Sequence, residues 1–404
     1  PKTLVPDIPT QYSGYIPENN DRRYRGAVPA REALARSLNV PAVRMLQRYG
    51  VSRFYDFLKH MGMTTLYRRP EDYGLTLILG GAEGTLYDMT TVYANLAHIA
   101  KSLDADAVTA TYKKPKVLKT EAVDSGRKAE LGVASAWLTL SALEEVSRQD
   151  EAAFWKNFAG SRKVAWKTGT SYGFRDGWAI GSDMRYTVGV WVGNASGEGR
   201  TGISGIGSAA PLMFDIFNKL EASAWFKTPH MHLKEVAVCK DDGYLAVNGC
   251  ESETLLAPVN SHFEEASPNH IIVHLDKKKR WRVHGLCEPV SNMDHKAWFV
   301  LPPAQEFYYK KFHPEYKTLP SYRKDCLNDS AASGKKAPIE FLYPNAGTKL
   351  YIPTDLDGKK GRTVFEAVHR NKDAVLYWHL DDEYISATQT FHQIALNISP
   401  GEHL

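Results

Sequence analysis

Several features that mark particular classes of protein are missing from this sequence of 404 residues. No apolar run is long enough to cross a bilayer, and no signal peptide is evident. Neither a Cys-x-x-Cys pair nor a His-Glu-x-x-His motif occurs, which argues against a metal centre. The net charge of +4 is too small to indicate a nucleic-acid partner. We therefore expect a globular protein without a metal or a cofactor.

Cysteine is absent from the first 238 residues. The four cysteines that follow are Cys239, Cys250, Cys287 and Cys326. An even, clustered set favours two disulfides and an oxidising compartment, although four separate thiols are the alternative. Proximity along the chain favours pairing Cys239 with Cys250 and Cys287 with Cys326.

The periodicity of the sequence changes three times. Apolar residues recur at three- and four-residue spacing in four stretches, which predicts helices over 26–62, 84–103, 134–148 and 208–225. Three β-branched and aromatic segments predict an antiparallel meander over 163–171, 177–184 and 185–194. Helices, a sheet and a closing helix in one unit indicate an α+β domain, which we place at 1–228.

The rest of the chain has a different character. Residues 229–335 contain the cysteines and few clear periods, so we expect an irregular, disulfide-tied connecting segment. Residues 336–404 contain six short apolar segments at regular spacing, including TKLYIPT at 348–354, which predicts a small β-sandwich module. No internal repeat is evident. Both ends of the chain look cut, since the opening reads like the middle of a polypeptide.

A Lys-Thr-Gly-Thr sequence stands on the first strand of the predicted meander. It comprises Lys167, Thr168, Gly169 and Thr170. The glycine lets a substrate backbone approach and pair with the strand. The lysine places a cation beside a reacting centre, and the threonine hydroxyls can hold a carboxylate. This context favours a catalytic strand over an ordinary edge strand with a solvated lysine.

A second candidate motif, Ser37-Leu38-Asn39, lies at the junction of two predicted helices. Ser-x-Asn is common by chance, and a helix-capping role is the simpler interpretation of these residues alone. The surrounding sequence changes that interpretation. The run NNDRRYRGAVPAREALARSLNVPAVRML contains the motif, and the segments LILGGAEGTLYDMTTVYANLA and WKTGTSYGFRDGWAIGSDMRYTVGVWVGN follow it in order.

These three segments resemble the transpeptidase region of class A penicillin-binding proteins, whose motifs are Ser-x-x-Lys, Ser-x-Asn and Lys-Thr-Gly in that order. The resemblance covers about residues 1–225. The cysteine-bearing segment WRVHGLCEPVSNMDHKAWFVLPPAQEFYYKKFHPEY and the terminal β module are similar to those of the 1C type. The resemblance implies the fold shared by penicillin-binding proteins and serine β-lactamases. It also implies D,D-transpeptidation, in which serine acyl transfer cross-links D-Ala-D-Ala stem peptides of peptidoglycan.

The same resemblance implies a role for each motif residue. Lys167 would support proton transfer, Ser37 would relay a proton to the leaving amine, and Asn39 would hold the substrate amide. Thr168 and Thr170 would bind the terminal carboxylate of a stem peptide or a β-lactam. The backbone N–H of Thr170, which follows Gly169, would supply half of the oxyanion hole.

The sequence departs from the family pattern at the nucleophile. No Ser-x-x-Lys precedes Ser37, and three matches come later: Ser125 with Lys128, Ser321 with Lys324, and Ser333 with Lys336. Their order and polar surroundings identify them as chance matches. We expect the nucleophile on a segment that precedes residue 1, so this chain alone should be inactive.

The family also implies an upstream glycosyltransferase domain, an inner-membrane anchor, a periplasmic location and contacts with other cell-wall synthesis proteins. Two alternatives stay open at this point. One is a non-catalytic cell-wall binding protein that has lost its nucleophile. The other is a β-lactamase, against which the long C-terminal extension argues.

Overall fold

The computed structural model describes residues 2–12, 15–103, 111–117, 120–121, 126–145, 162–263, 265–327, 338–352, 361–371, 373–389 and 392–404. The contacts divide the chain into two compact units. The first unit contains residues 30–236 and 254–262, and the second contains residues 2–29, 237–253 and 263–404. The domain boundaries inferred from the sequence, near 228 and 335, stay predictions.

The first unit is mainly helical before its sheet. Its α-helices are α1 (Ala30–Ala35), α2 (Asn39–Tyr49), α3 (Val51–Met61), α4 (Pro70–Tyr73), α5 (Leu86–Lys101), α6 (Val133–Glu144) and α7 (Ala210–Lys219). Short 3-10 helices span Gly74–Leu79 and His230–His232, and a π-helical turn spans Gly205–Ala209. None of the described helices is both long enough and apolar enough to cross a membrane.

Local chemistry fixes where several of these helices begin and end. The Thr85 hydroxyl accepts a hydrogen bond from the Asp88 N–H and so caps the start of α5. Gly62 ends α3 in the left-handed conformation, with φ of 112°, which glycine adopts without a Cβ clash. The helix predicted over 84–103 is confirmed. The helical prediction over 26–62 is confirmed from Ala30 onward but was wrong at Gly26–Pro29, which form a strand.

The sheet of the first unit is the predicted antiparallel meander. It consists of β5 (Ala165–Thr170), β6 (Asp176–Ser182) and β7 (Thr187–Gly193), in that spatial order. A separate two-stranded pair joins β3 (Thr111–Tyr112) to β4 (Arg127–Lys128). Helices α5 and α7 both pack on the meander.

One contiguous hydrophobic core holds the first unit together. Its fully buried members come from helices and strands alike and include Ile99, Leu140, Ala165, Met213 and Phe217. Packing of α7 against the sheet is close, because a Cβ at Gly181 would lie 2.9–3.1 Å from atoms of three neighbouring side chains. The α+β architecture expected from the sequence is thus confirmed.

The second unit contains most of the remaining strands. These are β1 (Leu4–Asp7), β2 (Gly26–Pro29), β10 (His270–Leu275), β11 (Asp294–Phe299), β12 (Ile339–Tyr343), β13 (Thr363–His369), β14 (Val375–Leu380), β15 (Glu383–Gln389) and β16 (Gln393–Leu396). Strands β8 (Leu233–Cys239) and β9 (Ser252–Pro258) contribute residues to both units. The helix α8 (Pro303–Tyr309) packs on β2. The connecting segment is therefore more regular than the sequence indicates.

A backbone motif occurs twice in this unit, which the sequence alone did not reveal. In residues 238–251 the Cys239 N–H donates to the Tyr244 carbonyl at 2.8 Å, and in residues 275–288 the Asp276 N–H donates to the Trp281 carbonyl at 2.9 Å. Cys250 and Cys287 then occupy equivalent turns, where each N–H donates to a carbonyl three residues earlier. We call these segments the first and second knuckles.

The C-terminal module contains two small sheets. Strands β12, β13 and β16 form one, and β14 and β15 form the other. Five of the six segments predicted as strands are strands in the structure. The sixth, TKLYIPT, was wrong over its described part, because residues 348–352 follow a turn at Asn345–Thr348 and form no strand.

Candidate active site

The Lys-Thr-Gly-Thr sequence lies on β5, at one edge of the meander. Lys167 is paired with Ile180 and Gly169 with Trp178, while no other described strand pairs with the far edge of β5. The next residue, Ser171, donates its N–H to the Asp176 carbonyl at 3.0 Å. Because hydrogen-bonded residues alternate along an antiparallel strand, the N–H of Thr170 points away from β6, toward the open edge.

Lys167 is the most electrostatically unusual residue of the strand. Its side chain is partly buried, and its ammonium donates to the carbonyl of Thr168 at 2.6 Å. Burial, which disfavours the charged form, lowers the pKa of Lys167 to about 8. No ion pair to this lysine is found among the described residues. A lysine with a depressed pKa at an accessible strand edge can exchange protons near neutral pH.

The Ser37-Leu38-Asn39 junction has a strained backbone. Ser37 has φ of 56°, a left-handed conformation that is uncommon for residues other than glycine. The Leu38 N–H donates to the Ala33 carbonyl and the Ser37 N–H to the Leu34 carbonyl, which together form a Schellman motif that ends α1. Ser37 is exposed, whereas Leu38 is buried.

The capping interpretation of this junction does not fit the structure. Leu38, not Ser37, is the N-cap of α2, and no side chain caps that helix. Asn39 is the first residue of α2 and is partly buried. A serine in a left-handed position usually served by glycine suggests that its hydroxyl has a use beyond ending the helix.

Helix α6 connects the two motifs. It packs against α1, which ends at the Ser-Leu-Asn junction, and also against β5. An ion pair between Arg31 and Glu145 joins the first turn of α1 to the residue that follows α6. Among the described residues, no hydrogen bond or ion pair joins Ser37 to Lys167, so their meeting in one cleft stays a prediction.

The structure adds a segment that the sequence analysis missed. The Gly205 N–H donates to the Thr170 hydroxyl oxygen at 3.0 Å. A Cβ at Gly205 would lie 2.5 Å from the carbonyl oxygens of Gly169 and Trp178 and 2.9 Å from the Thr168 Cβ. Only glycine fits so close to another backbone. The Gly-x-Gly pattern before a predicted helix was the available signal.

This contact constrains what Thr170 can do. Its hydroxyl oxygen already accepts one hydrogen bond, so the remaining hydroxyl hydrogen is what it can offer to an incoming carboxylate. Gly169, in contrast, would accept a Cβ at ordinary contact distance, 3.7 Å from the Trp178 Cβ. The internal packing therefore does not explain the glycine at 169, whereas the approach of an external backbone would.

The structure describes only one of the three later Ser-x-x-Lys matches in full. Ser125, Ser333 and Lys336 lie outside the described residues. Ser321 and Lys324 belong to the second unit, where Ser321 accepts a backbone hydrogen bond from Arg282 and Lys324 begins a short 3-10 helix. The interpretation of these matches as chance occurrences stays a prediction.

Both predicted disulfides are present. Cys239 is bonded to Cys250, within the first knuckle, and Cys287 is bonded to Cys326. The pairings differ because Asp276 occupies the position in the second knuckle that Cys239 occupies in the first. Each disulfide lies near a histidine, in the groups His284, Cys287, Cys326 and Cys239, Asp242, His270. With the sulfurs oxidised, neither group offers a thiolate to a metal.

Comparison with known proteins agrees with this architecture. Residues 329–404 match the family described as Penicillin-Binding Protein C-terminus Family. The chain is 36% identical over 222 residues to penicillin-binding protein 1C of Escherichia coli, covering 54% of this chain and 27% of that protein. It is 29% identical over 195 residues to penicillin-binding protein 1B of Vibrio cholerae, covering 48% of this chain and 25% of that protein.

A solved structure shows the same fold. The crystal structure of penicillin-binding protein 1A from Haemophilus influenzae superimposes with a TM-score of 0.51 at 20% identity, covering 66% of this chain and 46% of that one. PonA1 from Mycobacterium tuberculosis, solved in complex with penicillin V, has a TM-score of 0.44 at 19% identity, covering 55% and 65%. The chain spans about a quarter of the curated relatives above. The chain is similar to class A penicillin-binding proteins of the 1C type over its first part, and its last part matches the penicillin-binding protein C-terminal family.

Proposed function

We propose that this chain supplies the substrate-binding strand and the proton-transfer residues of a peptidoglycan D,D-transpeptidase. The observation that carries the proposal is Lys167, whose pKa is lowered to about 8 on a strand with an open edge. A stem peptide that ends in D-Ala-D-Ala pairs with that edge as an added strand. Gly169 leaves room for its backbone.

Each motif residue then has a role that its surroundings support. The outward N–H of Thr170 donates to the oxyanion of the tetrahedral intermediate. The Thr168 and Thr170 hydroxyls donate to the terminal carboxylate of the substrate. Lys167 supports proton transfer through the Ser37 hydroxyl to the leaving D-Ala amine, and Asn39 holds the substrate amide. In the second half of the reaction, the acyl group passes to an amine of a neighbouring stem peptide.

The nucleophilic serine is not among these 404 residues in our proposal. No Ser-x-x-Lys precedes Ser37, and the three later matches all follow Ser37, which is the reverse of the family's order. Loss of the nucleophile of a serine enzyme costs on the order of a millionfold in rate. This chain alone would therefore neither transpeptidate nor be acylated by a β-lactam.

The protein that contains this chain would carry the serine, together with a glycosyltransferase domain and a membrane anchor, and would act in the periplasm. The two disulfides support an oxidising compartment. β-Lactams would acylate that serine, because they mimic the D-Ala-D-Ala end of a stem peptide. The competing function is non-catalytic binding of cell-wall partners.

A labelling experiment separates the two functions. The product of the complete reading frame that encodes this chain is exposed to a fluorescent penicillin, and the modified serine is mapped by mass spectrometry. We expect the label outside the 404 residues and a Lys167→Ala variant whose acylation is slower by at least about a hundredfold. Lys163→Ala is the matched control, because the Lys163 side chain is exposed, pairs with Glu144 at 3.6 Å and lies 5.9 Å from the centre of the Trp225 ring.

A second variant tests Ser37 without risk to the fold. Ser37→Gly removes the hydroxyl but relieves the left-handed strain, so the variant should be at least as stable as the parent while its transpeptidation slows. A label on a serine within this chain would contradict the assignment. If the complete protein contains an in-frame Ser-x-x-Lys but takes up no label, the non-catalytic function is favoured.

A further inference from the structure

Two histidines of the second unit face each other across a pair of strands. His274 on β10 is paired with His295 on β11. Their Nδ1 atoms are 2.6 Å apart, and their rings meet edge to face, with centroids 4.7 Å apart and an interplanar angle of 86°. His295 is exposed and His274 partly so, which leaves the pair open to solvent.

At this distance, either a proton or a metal ion must lie between the two nitrogens. The two Nδ1 atoms cannot both carry a proton at this separation, so the Nδ1–H of one ring must donate to the Nδ1 lone pair of the other. If each ring instead carries its proton on Nε2, the two Nδ1 lone pairs converge on a single point. Imidazole nitrogen is the commonest protein ligand of divalent transition metals, with bonds of about 2.0–2.1 Å.

The pair is nearly at the separation that such an ion needs. Two nitrogens bound to one ion at about 2.0–2.1 Å lie roughly 3 Å apart, so the rings must part by only a few tenths of an ångström. Both side chains can make this rotation because solvent borders them. Asp294, the neighbour of His295 along the strand, is paired with Lys279 at 3.4 Å and so does not block the approach.

We propose that His274 and His295 form a two-imidazole site for a divalent transition-metal ion. Neutral nitrogen donors favour Cu²⁺, Ni²⁺ and Zn²⁺, and affinity for such donors is greatest for Cu²⁺. The ion would keep positions for water or for a further ligand. This site is separate from the disulfide-bonded groups, and it does not depend on the function proposed above.

Titration of the complete 404-residue chain with Cu²⁺ and with Zn²⁺, followed by calorimetry, tests the site. We expect His274→Gln and His295→Gln each to weaken the tightest binding event by more than about tenfold. His313→Gln is the matched control, since His313 lies in the same unit and contacts Glu315 at 3.0 Å, without a second histidine. Binding should also weaken at pH 5, where protons compete for the nitrogens.

Unchanged tight binding in the double variant would overturn the proposal and leave only adventitious metal binding elsewhere. If a variant unfolds, the unmodified chain still decides the question. In its nuclear magnetic resonance spectrum, substoichiometric Cu²⁺ should broaden the imidazole signals of His274 and His295 first. Earlier broadening of other histidines would refute the site.

Discussion

The two units of this chain are stabilised in different ways. The first unit buries one continuous core that runs through helices and sheet and has Phe217 and Leu140 at its centre. The second unit has two small clusters, one around Ala304 and one around Leu301, and it also contains both disulfides. The first unit contains no cysteine and depends on non-covalent contacts, whereas the second adds covalent links.

Both units contain buried polar networks, and in the first unit the buried Asp183 forms an ion pair with Arg162. The second unit has two further examples. Asp242 is fully buried and accepts hydrogen bonds from Ser267 at 2.5 Å and Asn269 at 3.1 Å. Glu306, 2% exposed, forms an ion pair with Arg370 and accepts a hydrogen bond from Tyr316 at 3.2 Å. Such groups specify one arrangement because each loses its partner in any other. In the first unit, the polar group with the most perturbed pKa is instead Lys167 of the proposed active site.

The comparison relates backbone strain and the burial of charged side chains to the proposed function. In the first unit a large core tolerates a desolvated lysine and a left-handed serine. The second unit also has left-handed residues, at Arg22, Lys279 and Asp381, and it links distant segments through two disulfides and the ion pair of Glu306 with Arg370. The three predictions below test this contrast.

Removal of the disulfides should have the largest effect. Loss of the Cys287–Cys326 link, which closes a loop of sequence separation 39, should cost about 4 kcal/mol, and loss of Cys239–Cys250, of separation 11, about 3 kcal/mol. Urea unfolding of the paired Cys→Ser variants measures these costs. Hydrogen exchange in the reduced chain should accelerate in the second unit only, and equal acceleration in both units would break the comparison.

Breaking the buried ion pair should have the next largest effect. Arg370→Leu leaves Glu306 buried without its cation and should cost about 3 kcal/mol at pH 7. Burial already raises the pKa of Glu306, and Arg370 opposes that rise. The pKa of Glu306 in this variant is therefore higher still. The variant's free energy of unfolding falls as pH rises through the interval between the unfolded-state and folded-state pKa of Glu306.

The loss in Arg370→Leu should accordingly be smaller at pH 4 than at pH 7, as thermal unfolding at the two values can show. The double variant Arg370→Leu with Glu306→Gln serves as the control, because it removes the buried charge as well as its partner. An equal loss at both pH values would mean that the carboxyl is neutral in the native chain.

Substitution of Lys167 should have the smallest effect on stability, and it should stabilise the protein rather than destabilise it. Lys167→Met removes a desolvated charge and should stabilise the first unit by about 2 kcal/mol at pH 7, with partial exposure taken into account. Because the folded pKa is lowered to about 8, the gain should shrink as pH rises from about 8 through the unfolded value of 10.5. Denaturant unfolding between pH 7 and 10.5 measures this trend, with Lys163→Met as the control.

Much of the first unit could be predicted from the sequence. Three-residue and four-residue apolar spacing predicted α2, α3 and α5, and alternating β-branched and aromatic residues predicted the meander, because these patterns directly reflect which face each element buries. The pairing of the four cysteines also followed from their proximity along the chain.

Prediction was poorer where local pattern and tertiary contact compete. The connecting segment looked irregular because some of its strands bury little on either face: β11 contains no buried residue, so its sequence has no consistent apolar side. The two knuckles share backbone hydrogen bonds but few residue types, so their repetition could not be detected in the sequence. TKLYIPT has the composition of a strand, yet composition alone does not provide a pairing partner.

The sequence by itself determined the kinds of chemistry in this protein: a Lys-Thr-Gly strand, a Ser-Leu-Asn junction and four cysteines in an oxidising context. Only the tertiary structure decided that Ser37 takes a left-handed conformation, that Gly205 lies against Thr170, and that His274 meets His295. The physical reason is that motif chemistry is a property of neighbouring residues. The approach of one segment to another instead depends on packing and strand register, which distant parts of the chain set together.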